Sequence, residues 1–165
     1  MRSNKSMIDY QTILIEMREH RKEQHEKVLV YEEKESWAMA YLCNWVVLEK
    51  SVKKLYGAYV KSQLLPQILS WKDYLEGGSN KAPEQITNFA VEPIYIPRIN
   101  ILEKIIGRTK ILNEVLNSKG KWRVKRNAIA HRTEEFARKN TYIQYKTMLN
   151  NALDELENKL KAKSR

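Results

Sequence analysis

Residues 37–59, WAMAYLCNWVVLEKSVKKLYGAY, set Trp37, Tyr41, Trp45, Leu48, Val52, Leu55 and Tyr59 at successive steps of four and three. Such steps follow the 3.6-residue period of an α-helix and collect all seven side chains on one face. The face reads as core, with stacking on nucleobases as the alternative use of its rings. Ser36, directly before it, has the hydroxyl that an N-cap position favours.

Working outward, Ile8 to Tyr31 forms a weaker pattern. Ile8, Leu14, Met17, Val28 and Tyr31 flank the polar run REHRKEQHEK, which predicts a long helix with an exposed centre. On the other side, periodicity lapses between about residues 65 and 97. LEGGSNKAPEQ and Pro66, Pro83, Pro93 and Pro97 mark an irregular excursion there, with a short helix around QILSWKDYL. A third helix is expected from about Arg98, with Leu102, Ile105, Leu112 and Leu116 on one face, ending near Asn117 and Gly120. A short basic helix, KWRVKRNAIAH, follows. The last helix, about Thr141 to Leu160, presents Tyr145, Leu149, Ala152, Leu156 and Leu160 before a frayed basic tail. The expected fold is therefore all-α: one domain over 1–165, an antiparallel four-helix bundle with a short basic helix before the last.

Composition agrees with a helical chain. There are five Gly and four Pro in 165 residues, enough chain to bury a core without metal or disulfides. Cys43 is the single cysteine, which excludes an internal disulfide framework and a Cys-rich zinc site. Its neighbours Ala40, Leu42, Val46 and Val47 suggest a packed, inert thiol. MRSNKSMIDYQ has no apolar run of the signal-peptide kind, and no apolar stretch is long enough to span a bilayer. The expected location is cytoplasmic, with no membrane partner. A formal charge of +10 draws polyanions toward the surface, and nucleic acid is the leading candidate among them.

Familiar chemical motifs are mostly missing. His20 and His25 stand five apart, about 140° around a helix, and lack the carboxylate pattern of an HExxH zinc site, so they read as surface residues and no metal is expected. Neither GxGxxG nor GxxxxGKS occurs, and no cofactor is expected. Glu49 and Glu103 lie within apolar helices, where they either face a polar site or occupy exposed positions.

RNAIAHR, residues 126–132, is different. Asn127 and His131 are four apart and share a helix face, while Arg126 and His131 are five apart. KGKWRVK upstream adds cations, with Trp122 as a possible stacking surface. One reading is a solvated basic helix end. The other is a phosphate-handling site, because imidazole transfers protons near neutral pH and guanidinium stays charged beside phosphate oxygens.

Arg-Asn-Ala-Ile-Ala-His resembles the Arg, four to six residues, His motif of HEPN domains, often met as Arg-Asn-x-x-Ala-His. RiboL-PSP-type members and related toxin or phage-defence proteins look nearest. The likeness spans the chain in architecture and residues 121–132 in sequence. Arg132 and Thr133 stand where many relatives have Gly, and the His-x-Tyr extension of nucleotidyltransferase-paired toxins is absent. The resemblance implies a metal-independent endoribonuclease, acting by 2′-hydroxyl attack as a homodimer whose two motifs face one cleft, in a toxin or antiviral defence setting with an antitoxin or sensor as a further partner. It implies Arg126 for phosphate stabilisation, His131 for acid/base transfer and Asn127 for positioning. Lys121, Trp122, Arg123, Lys125 and Arg132 are the expected RNA-binding residues. The alternative is a non-catalytic RNA- or nucleotide-binding adaptor module.

Overall fold

The computed structural model describes residues 8–84, 99–132 and 134–165. All regular structure among them is helical: α1 Tyr10–Glu33, α2 Trp37–Leu75, α3 Ile99–Ile106, α4 Ile111–Leu116, α5 Lys121–Ala130 and α6 Lys139–Lys163. None of these helices is long and apolar enough to cross a membrane.

α2 is the spine, because its apolar face is nearly continuous through its first half. Ala40, Tyr41, Trp45, Val47, Leu48, Val52 and Leu55 are all buried. α1 joins it through a three-residue turn, so the two pack side by side, and Leu14, Met17 and Val28 fill the seam. α6 closes the core against both, burying Leu149, Ala152, Leu153, Leu156 and Leu160. The polar middle of α1 is largely exposed, as its composition suggests, with Arg18, Glu19, Lys22, Glu23, His25, Glu26 and Lys27 all at the surface. Arg18 and Arg21 bind Glu157 of α6 at 2.7 and 3.3 Å, Arg21 also reaches Asp154 at 2.6 Å, and Gln24 is buried. Opposite charges on α6 thus fasten one edge of this polar run, and Gln24 is its one buried residue.

Three boundaries differ from those the sequence predicts. α2 continues through Pro66 to Leu75, although Pro withdraws a backbone donor. The irregular excursion begins after it, and its portion from 85 to 98 lies outside the described residues. The expected third helix is two. Gly107, at φ +86°, ends α3 in the left-handed conformation that glycine adopts freely, and its N–H caps Glu103 O at 2.8 Å. α4 then restarts under Glu155 of α6, whose carboxylate accepts the N–H groups of Lys110 (2.9 Å) and Leu112 (2.6 Å). Lastly, α6 runs to Lys163, so KLKAKSR is helical rather than frayed for most of its length. Ser36 sits at the N-cap position of α2 without a side-chain cap hydrogen bond.

Candidate functional site

α5 lies across α2 and α4 and presents the basic sequence from Lys121 to Ala130. Two of its residues anchor it. Ile129 is buried, and so is Trp122, whose Nε1 donates to Glu114 Oε1 at 3.0 Å and whose ring meets Tyr145 edge-on at 4.8 Å. Trp122 is thus a core residue and offers no stacking surface for bases. Lys121 sets its ammonium over the ring, 4.4 Å from the centre.

Arg126 points toward α2. Its Nη2 pairs with Glu49 Oε1 at 2.5 Å, and its Nη1 donates to Asn127 Oδ1 at 3.1 Å. The Nε atom is buried and has no hydrogen-bond partner among the described residues. About a quarter of the side chain remains exposed, 27%, against 15% for Glu49. Glu49 is therefore the polar residue of the apolar α2 face that sequence reading left open between two uses. Its signal was visible, since a carboxylate one residue after Leu48 on a core face needs a partner.

Arg123 belongs to the same corner. Its Nη1 donates to Leu116 O at 3.1 Å, and burial lowers its affinity for the proton while Glu49 opposes that effect and Arg126 adds to it. Two guanidiniums consequently surround one carboxylate at the α2–α5 junction, leaving a local surplus of positive charge.

His131 caps α5. Its backbone N–H bonds to Asn127 O at 2.9 Å, and the residue is exposed, as Asn127 is. The chain then turns at Arg132, φ +58°, whose N–H returns to Ile129 O at 2.9 Å. This left-handed position is one glycine takes without cost, which fits a helix end where a β-carbon is a burden. Lys121 and Arg132 are exposed. Lys125 is not a free cation. Its Nζ donates to Glu134 Oε2 at 2.7 Å and to Glu135 O at 2.9 Å, and its side chain is only 15% exposed.

The remaining candidates have other surroundings. Cys43 is buried, and burial raises its thiol above the usual range, which keeps it protonated and unreactive. His20 is half-buried in a groove of about 430 Å³ between α1 and α2, where burial and then the Lys50 charge lower its pKa; His25 is exposed. Glu103 accepts the Thr109 N–H at 3.2 Å and so braces the α3–α4 turn. Among the described residues, no three His, Cys, Asp or Glu side chains gather at metal-ligand distances.

The geometry places Arg126, Asn127 and His131 along one α5 end with Glu49 behind them. Comparison with protein-family models, curated proteins and solved structures returned no match. The functional reading consequently stands on this corner and on the motif it contains.

Proposed function

We propose that the chain is a metal-independent endoribonuclease of HEPN type, built as an antiparallel bundle of α1, α2, the α3–α4 pair and α6 with α5 inserted before the last helix. The observation that carries the reading is the Arg126 guanidinium, braced by Glu49 and Asn127 yet partly exposed beside the end of α5 that bears His131. A preorganised guanidinium meets the charge that builds on a phosphate in the transition state without reorganising.

The chemistry follows from what these groups can do. The 2′-hydroxyl next to the scissile phosphate attacks phosphorus, forming the 2′-O–P bond as the P–O5′ bond breaks. An imidazole takes the 2′-hydroxyl proton, and a protonated acid returns one to the departing 5′ oxygen. The nucleophile lies within the substrate, so positioning supplies much of the rate. Arg126 and His131 diverge by about 140° on a regular helix, and one copy of the motif serves a single phosphate poorly. Two copies facing across a two-fold axis supply one histidine as base and another as acid. Lys121, Arg123 and Arg132 are suited to the RNA backbone, and cytoplasmic defence is the setting the motif implies.

Incubation with single-stranded RNA tests the reading. Cleavage is expected to leave a 2′,3′-cyclic phosphate and a 5′-hydroxyl, to persist in EDTA, and to stop with one 2′-deoxy substitution 5′ to the cut. His131→Ala should slow cleavage at least about a hundredfold with unfolding unchanged, since an acid/base group contributes roughly that much and the side chain is exposed. Loss of activity in EDTA, or equal cutting of the 2′-deoxy substrate, would overturn it.

A further inference from the structure

Residues 134–138 lie outside any helix, yet they are fastened at two points. Phe136 inserts into the core, 7% exposed, with edge-on contacts to Tyr41, Tyr142 and Tyr145 at 5.4 to 5.6 Å. Lys125 forms the second fastening. It reaches from the middle of α5 to the far side of the turn, donates to both Glu134 Oε2 and Glu135 O, and lays its ammonium 5.0 Å from the Phe136 ring centre.

These contacts satisfy an ammonium group in every way it can be satisfied: an ion pair, a backbone carbonyl and an aromatic face. A lysine whose task is to meet phosphate keeps its head in solvent, as Lys121 does at the start of the helix. Lys125 instead joins two parts of the chain that bracket His131, six residues before it and three to five after it. Between them the backbone passes through the left-handed Arg132. Helix-end hydrogen bonds to Asn127 and Ile129 hold the backbone of His131 and Arg132, and the Lys125 clasp and the Phe136 plug hold the segment that follows, so the surroundings of the His131 side chain are fastened from both sides.

We propose that Lys125 is a positioning residue: it clamps the Glu134–Phe136 segment and thereby sets the orientation of His131, rather than binding RNA. For its catalytic part this inference rests on the ribonuclease reading above; the clamp itself does not. Lys125→Met keeps the aliphatic stem and removes the ammonium, while Lys125→Arg keeps a charge able to reach the same two oxygens.

Amide hydrogen exchange and RNA cleavage, measured on the full chain, test the two parts separately. In Lys125→Met, the amides of Glu135, Phe136 and Ala137 should exchange about tenfold faster with global unfolding little changed, as local opening does. The turnover number should fall about ten- to a hundredfold while KM stays within about twofold, the mark of misplacement rather than lost binding. The slope of RNA affinity against salt should be unchanged, and Lys125→Arg should recover most of both losses. Unchanged exchange, with a salt slope reduced by about one unit, would make Lys125 a phosphate contact and overturn the clamp. Faster exchange in Lys125→Met, with a wild-type chain that leaves RNA intact, would uphold the clamp and overturn the ribonuclease reading together with the catalytic part.

Discussion

Glu49 and Arg126 are each other's main polar partner in a corner where neither is well solvated, and the two therefore cannot be varied independently. Removing the carboxylate leaves a guanidinium with a buried, unpartnered Nε and a freed Nη2, next to Arg123. Glu49→Ala is expected to cost about 2 kcal/mol, the scale for stranding one partner of a half-buried ion pair. Urea unfolding measures it, and a loss under about 0.5 kcal/mol would show the pair to be solvated like a surface one. The same coupling predicts that Arg126→Ala perturbs stability more than His131→Ala, whose side chain has no such partner among the described residues. Position 126 lay outside the periodic apolar stripes, and nothing in the sequence pairs it with a residue 77 positions earlier.

Among the elements, α1 and α6 are tied by charge as well as by packing. Glu32 Oε1 accepts from Tyr142 Oη and Lys146 Nζ, both at 2.5 Å. Burial raises the Glu32 carboxyl, but the Lys146 and Tyr142 hydrogen bonds outweigh it and leave it below its ordinary 4.5. Burial, followed by the Glu32 bond and charge, moves Tyr142 upward, so the phenol stays a donor. A carboxyl whose pKa is lowered by folding stabilises the fold above its unfolded value and loses that contribution as pH falls through the folded one. Glu32→Gln is accordingly expected to destabilise by about 1 kcal/mol at neutral pH, since the group is partly screened by solvent. The difference from wild type should close below pH 4.5, read by thermal unfolding at both pH values; a difference that persists in acid would locate the effect in packing. Element boundaries show a similar division. The period of α2 was plain, but its extension past Pro66 and the break at Gly107 depend on local conformation that composition alone leaves open.

For the whole molecule, the decisive expectation is assembly. The divergence of Arg126 and His131 around α5 leaves each copy with half of a bidentate arrangement, and the ribonuclease reading requires a second copy to complete it. Light scattering at micromolar concentration should give twice the 19.6 kDa chain mass, and specific activity should fall on dilution below the dimer dissociation constant. A monomer whose turnover is independent of concentration would remove the two-motif site. The helical class, the core stripe of α2, the inert Cys43 and the Arg-Asn-x-x-Ala-His motif were all legible in the sequence, because hydrophobic period, residue chemistry and short spacing are local properties. Tertiary structure alone decided the rest. It placed Trp122 in the core, bonded Lys125 to Glu134 and Glu135, and set Glu49 against Arg126. Each of these depends on side chains beyond one helical turn coming into contact, from eight residues away for Trp122 and Glu114 to the distant pair of Glu49 and Arg126, and the order of the chain does not specify such contacts.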